Sequence, residues 1–309
     1  MCQVLDVSAS GYYEWCRRPE SPHAQRDRQL LVLVRASHDA SKRRYGRPRV
    51  WKDLHEAGER VSEKRVGRLM REDGLRARAR KRFTCTTMSD HDQPVAANLL
   101  DRQFTADAPN RRWVGDTTEF VIGESGKLYL AAILDLFSRL VVGWAVSAMN
   151  DRHLTLQALQ KALKRRCPDT GLLHHSDQGS TYASEDYQRV LEAHGITCSM
   201  SRRGNCYDNA VMEAFFSSLK SELADRFDSG GEAKLELFDY IEVFYNQRRR
   251  HSTLGQISPA EFERRKNEEG VDPMENRTGR SFPQAPHPSS FSPKADKTTK
   301  TDQLSETVH

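Results

Sequence analysis

A chain of 309 residues, 37% hydrophobic and 29% charged, has room for two or three small domains that each bury a core. Its net charge of +5 is unevenly placed: 16 Lys and Arg face 6 Asp and Glu between positions 42 and 82, so the remainder is net acidic, and one phosphate-binding block is implied rather than a uniformly basic surface. The six cysteines form no C-x-x-C pair and no zinc spacing, no apolar run approaches the roughly 20 residues of a membrane span, and no signal-peptide pattern opens the chain; these features exclude disulfide-framed, zinc-module and membrane proteins and favour the cytoplasm.

Residues 1–40 read as helical, with Leu30, Leu31, Leu33 and Val34 supplying apolar contacts after the Pro19 and Pro22 breaks. A helix-turn-helix follows within residues 41–82. Pro48 suits a first helical turn, Val50, Trp51 and Leu54 form a stripe, and Gly58 ends it. Ser62 can cap a second helix whose Val66, Leu69 and Met70 face inward and whose stop is Gly74. Lys64, Arg65, Arg68 and Arg71 then lie off that stripe, as in a helix that enters the major groove; a solvated basic helix in a small bundle would share this pattern. Residues 83–109, polar and with little periodicity, read as a linker.

From 110 to 265 the pattern is that of an α/β domain. A β-prone run carries Asp116 and continues through Phe120, Val121 and Ile122. Apolar runs at 128–135 and 140–146 pair around a turn at 135–139, and Leu154–Leu163 reads as a helix. A strand at 172–175, a helix at 184–194, a strand at 196–200 and a helix from Asp208 to Leu223 follow, with Asp208 placed as its N-cap; residues 232–247 make a last helix. These elements fit a mixed five-stranded sheet flanked by helices. Residues 266–309, rich in Pro, Ser, Thr, Lys and Glu, are expected to be a disordered tail.

Three acids stand out within that domain: Asp116 in Trp-Val-Gly-Asp-Thr-Thr-Glu, Asp177 in His-His-Ser-Asp-Gln-Gly-Ser, and Glu213, separated from Asp177 by 35 residues. Attack on a phosphodiester needs an activated nucleophile and a stabilised leaving oxygen, which two divalent ions about 3.5–4 Å apart can supply together. Hard cations such as Mg²⁺ prefer carboxylate oxygens to thiolate or imidazole. Asp177 would stand at the carboxyl end of its strand, while Asn209, Glu213 and Lys220 share one helix face, which lets Lys220 and Asn209 position DNA. Glu119, three residues along the strand from Asp116, should point to the opposite face and play a structural part. His174 and His175 likewise face opposite ways, so packing or a hydrogen bond is favoured over shared ligation. Arg248, Arg249, Arg250 and His251 form a cationic cluster past a helix, part offsetting the helix dipole and part, with Arg248 and Arg249 foremost, contacting DNA.

The Asp-Thr-Thr-Glu run behind Trp113, His175-Ser-Asp-Gln-Gly-Ser-Thr-Tyr182, Asn205-Cys-Tyr-Asp-Asn-Ala-Val-Met-Glu213 with Lys220 behind it, and Tyr245-Asn-Gln-Arg-Arg-Arg-His-Ser-Thr-Leu254 with Pro259 resemble bacterial insertion-sequence transposases, notably those encoded in two overlapping frames whose second frame carries a retroviral-integrase-like core. The resemblance covers roughly residues 1–265. It implies a ribonuclease H-like catalytic core behind a small all-α helix-turn-helix domain. It also implies Asp116, Asp177 and Glu213 as a metal-binding triad holding two Mg²⁺ ions, for which Mn²⁺ can substitute. The expected partners are double-stranded DNA at element ends and target, further copies of the chain on that DNA, and the upstream-frame protein; a bacterial, nucleoid-associated location and a late or truncated start at Met1 go with this. A non-catalytic DNA-binding repressor or decayed copy is the rival reading, and a ribonuclease H or repair nuclease on the same fold is the third.

Overall fold

Serine and proline open the first helices. Ser8 caps α1 (Ala9–Arg17) and Ser21 caps α2 (Pro22–Ala40), each hydroxyl accepting from the backbone N–H three residues on. In this computed structural model, which describes residues 2, 4, 6–77, 94–203, 205–224 and 226–270, α3 (Arg47–Glu56) and α4 (Glu63–Glu72) complete the helix-turn-helix. Ser62 accepts from Arg65 N–H at 3.2 Å, and Gly74 leaves α4 at a φ of +70° that only glycine adopts without strain. Leu30 and Val34 of α2 bury with Val50, Leu54, Val66, Leu69 and Met70.

The sheet region is built on a meander and two parallel additions. β1 (Arg112–Ile122), β2 (Gly126–Asp135) and β3 (Val141–Ser147) pair antiparallel. After α5 (Arg152–Arg166), β4 (Leu173–Ser176) joins parallel to β1. The short α6 (Ser180–Ala183) and α7 (Glu185–Ala193) lead to β5 (Thr197–Met200), parallel to β4. The order is β3-β2-β1-β4-β5, a mixed sheet as expected, with a sixth strand, β6 (Arg226–Phe227), added parallel to the far end of β1. One sheet face is covered by α5 and α7 around Trp113, Val142, Leu159 and Tyr187. There α5 approaches so closely that a Cβ on Gly143 would meet the Ala158 carbonyl at 2.4 Å. The other face is covered by α8 (Ala210–Glu222) and the helices after it.

Several expectations change here. The helix expected over 232–247 is α9 (Gly230–Phe238) passing into a π-helical turn, Asp239–Tyr245. A further helix, α10 (Pro259–Gly270), runs through the expected boundary at 265 and was not foreseen. Phe262 meets Phe137 with ring centroids 5.2 Å apart, and polar contacts help hold the helix: Glu263 accepts from Ser138 Oγ at 2.6 Å and from Arg166 at 2.8 Å. Hydrophobic periodicity could not signal such a helix. Asp208 is not the cap of α8; it sits in a 3₁₀ turn, Cys206–Asn209, that precedes it. Of the stretch read as linker, residues 83–93 lie outside the described residues. The remainder is strapped down, with Leu100 buried and the Leu99 and Leu100 N–H groups donating to Ser199 Oγ at 2.9 and 3.2 Å.

The helix-turn-helix and the sheet region cluster as one unit, residues 1–268, rather than as tethered modules. Tyr45 and Phe244 meet as tilted rings 6.0 Å apart within a shared apolar cluster. Tyr45 Oη donates to the Arg248 carbonyl at 3.0 Å and accepts from Arg250 N–H at 3.1 Å, while the Arg250 side chain reaches Asp53 at 2.7 Å and Glu56 beside it.

Candidate active site

The strand register sets Asp116 and Asp177 side by side. Val114 pairs with His175 across the parallel β1–β4 ladder, and both acids lie two residues further along, so they share a level and a sheet face. That is the face of Val114, which packs with Met212, Phe215 and Phe216 of α8. Asp116 stands inside β1 opposite Ala132, whereas Asp177 follows the last residue of β4. Its orientation is fixed by the turn: Gly179 N–H donates to Asp177 Oδ1 at 3.0 Å, and a Cβ on Gly179 would lie 2.9 Å from that oxygen. Glu213 comes from the first turn of α8.

All three acids are half-buried, and Asp116 senses the charges of the other two. Burial, then the charge of Asp177, then that of Glu213 push the Asp116 carboxyl well above the usual range; burial also raises Glu213. Tyr182, buried beside them, is raised by burial first and then by Tyr187, Asp116 and Asp177. No group of three or more His, Cys, Asp or Glu among the described residues is arranged to hold a metal ion as it stands. The chemistry of the donor set nevertheless fits one: converging hard oxygen donors carry mutually repelling charge that a divalent cation would neutralise.

The neighbouring groups are structural. His174 Nε2 meets Tyr187 Oη at 2.7 Å on one side of the sheet, and His175 Nδ1 meets Ser199 Oγ at 2.9 Å on the other. Burial lowers these imidazoles to about 3 and about 4, so both are neutral at physiological pH. Glu119 is exposed and pairs with Lys127 at 3.0 Å across the hairpin. Sequence reasoning missed the hub before α8. The buried Asp208 accepts from Arg202, Arg102 and Asn98 at 2.8–3.0 Å, and these bonds, that to Arg202 first, hold its carboxyl far below the ordinary range. Arg202 lies six residues ahead of Asp208 in a turn, where no helical or strand period signals a pair.

Residues 106–206 match an integrase core domain model, 194–259 a second integrase core model, and 25–83 an HTH-like domain. An uncharacterized 31 kDa protein of insertion element IS600 from Shigella sonnei is 44% identical over 264 residues, covering 85% of this chain and 97% of that one. Transposase InsF of insertion sequence IS3A from Escherichia coli strain K12 is 42% identical over 267 residues, covering 85% and 92%. The chain belongs to the insertion-sequence transposases. Among solved structures, the HTLV-2 integrase catalytic core domain in complex with magnesium is similar at a TM-score of 0.39 and 17% identity, over 51% of this chain and 98% of that one.

The transposase places the expected DNA-contacting side chains unequally. Lys64 and Arg71 are exposed on α4. Arg65 is turned to Asp27 at 2.7 Å, and Arg68 to Asp27 at 2.6 Å and Glu72 at 3.0 Å, which ties α4 to α2. Arg248 is exposed, but Arg249 is buried against Glu222, with Nη2 and Nε donating at 2.6 and 2.7 Å. Asn209 is buried at the start of α8, and its Oδ1 has no hydrogen-bond partner among the described residues. Lys220, half-buried, holds its Nζ 5.5 Å from the centre of the Phe120 ring, on the strand that bears Asp116.

Proposed function

We propose that this transposase cleaves DNA at insertion-sequence ends to free a 3′-hydroxyl and then directs that hydroxyl against a second phosphodiester. The carrying observation is the shared register of Asp116 and Asp177, with Glu213 close enough to add its charge. These three residues would hold two Mg²⁺ ions, or Mn²⁺ in their place, which when bound would activate the attacking oxygen and stabilise the leaving one. The Gly179 N–H keeps Asp177 aimed at that place. Lys220, two helical turns beyond Glu213, supplies a positive charge for a phosphate near the acids, and the raised Tyr182 hydroxyl stays protonated beneath them. Neutral His174 and His175 are committed to Tyr187 and Ser199 and take no part in proton transfer.

Lys64 and Arg71 of α4 would bind the element ends, with Arg248 adding phosphate contact from the core side. Two ends must meet for joining, which calls for several copies of the chain on double-stranded DNA, in the cytoplasm at the nucleoid; fusion to an upstream-frame protein would add further end-binding sequence. Incubating the purified chain with a labelled element-end duplex and Mg²⁺ tests the reading. Nicked ends bearing a 3′-hydroxyl and joined products, both lost on chelation, are expected. An intact duplex under conditions where the chain binds it would refute the reading.

A further inference from the structure

The most exposed aromatic side chain among the described residues stands at the head of α8. Tyr207 is 69% exposed, in the 3₁₀ turn Cys206–Asn209 that runs into α8 six residues before Glu213. A single exposed apolar side chain is ordinary on a surface and by itself implies nothing. This one is held on a rigid base. The next residue, Asp208, is fully buried and accepts from Asn98 at 3.0 Å, from Arg102 at 2.9 Å, and from the Arg202 side chain and backbone N–H at 2.8 and 3.0 Å. The Tyr207 N–H donates to Asn205 Oδ1 at 3.2 Å, so the backbone under the ring is fixed on both sides.

The same bonds join the turn to the acids. Ser201 N–H donates to the carbonyl of Ser176, the residue before Asp177, at 2.9 Å, and Arg202, next to Ser201, enters the Asp208 group. The turn is therefore tied to the Asp177 end of β4 on one side and continues into the Glu213 helix on the other. Beside the ring lies a cation with donors to spare. The Arg102 guanidinium carbon is 5.9 Å from the Tyr207 ring centre, and the side chain is 47% exposed. Arg202 is committed to both Asp208 and Asp101, whereas Arg102 binds Asp208 through Nε and its two terminal nitrogens make no hydrogen bond among the described residues.

Resting on the strand-transfer reading, we propose that Tyr207 stacks on an unpaired base of the DNA strand beside the bond that the three acids act on, while the terminal nitrogens of Arg102 bind the adjoining phosphate. The acids are half-buried, so a single strand reaches them more readily than an intact duplex. A base freed from its pair there loses its stacking neighbour, and an exposed ring on a fixed turn replaces that neighbour for any of the four bases. In paired DNA both faces of each base are already covered, which leaves the ring nothing to stack on.

Anisotropy titrations of the full chain without Mg²⁺, on a fluorescein-labelled blunt element-end duplex and on the same duplex carrying an unpaired 3′ tail, test this. The parent is expected to bind the tailed duplex at least about fivefold more tightly than the blunt one. Tyr207→Ala is expected to remove that preference, with affinity for the blunt duplex and melting temperature near parental because the ring is exposed, while Tyr207→Phe and Tyr207→Trp keep it. Arg102→Gln is expected to flatten the salt slope on the tailed duplex by about 1. No preference in the parent, a preference that survives Tyr207→Ala, or its loss in Tyr207→Phe overturns the stacking assignment. Mg²⁺-dependent nicking of the blunt duplex by the parent, scored in parallel, reports on the strand-transfer reading separately, which stands on that product whatever the tail does.

Discussion

Asp116 illustrates how a carboxylate proposed for catalysis is set against the fold that carries it. Because burial and the charges of Asp177 and Glu213 raise its folded pKa, the folded state favours the protonated form. The associated stability is complete below the unfolded value of about 3.9 and is lost as pH rises through the folded value. Metal-free Asp116→Asn is therefore expected to melt about 2–4 °C above the parent at pH 7.5 and level with it near pH 3.5, as read by calorimetry. Mg²⁺ should raise the parental melting temperature at pH 7.5 and leave that of the variant nearly still. Lys220 has a different job to prove. Its removal should cost strand transfer about 1.5–3 kcal/mol if it makes a charge-assisted bond to phosphate, with little change in melting. Unchanged joining with a lowered melting point would make it a packing residue over Phe120.

At the scale of elements, α8 and the segment 245–254 carry more of the structure than their motifs announced. Glu222 ends α8 and gathers Arg249, Arg49 and the Tyr240 hydroxyl, which donates at 2.9 Å. Burial would raise its carboxyl, but Arg249 first and then Arg49 and Tyr240 hold it below the ordinary value. Glu222→Ala strands Arg249 in a buried place and is expected to cost about 3–5 kcal/mol in urea unfolding. Since the folded values of Glu222 and Asp208 are both lowered, their stabilisation is present above the unfolded carboxylate range and is lost as pH falls below about 4. On α4, Lys64→Ala with Arg71→Ala should weaken end-DNA binding and flatten its salt slope by about 2, whereas Arg65→Ala should act mainly on melting, because Asp27 already holds that side chain. The meander and the two helices of the helix-turn-helix were legible in the sequence, because each rests on local period, and the three acids proposed as the triad were singled out by motifs of fixed spacing. The role of Arg249 was not. A run of arginines reads as one basic patch, and only the folded chain shows that Arg249 turns inward to Glu222, Arg250 to Asp53, and Arg248 outward. The Asp208 hub, β6 and α10 were hidden for a related reason: long-range ion pairs and a two-residue strand leave no periodic trace.

Across the whole molecule, residues 1–268 cluster as one unit that holds both the helix-turn-helix and the three acids. Tyr45, Arg250 and the Glu222 group span the junction, and Arg49 of α3 reaches the same carboxylate as Arg249 of the core. Binding of DNA by α4 would then fix where the strand passes Asp116, Asp177 and Glu213, and binding and chemistry should be separable by mutation at opposite sides of the junction. The central claim is that these three carboxylates, and no other acid, perform the cutting and joining. Its most direct measurement compares Mg²⁺-dependent cleavage and strand transfer on element-end DNA for Asp116→Asn, Asp177→Asn and Glu213→Gln, with binding measured on the same preparations. Each variant is expected to lose at least about 10³ in rate, some 4 kcal/mol, while binding the ends within a few-fold of the parent. Near-parental strand transfer by any one of the three, at unchanged binding, would contradict the assignment.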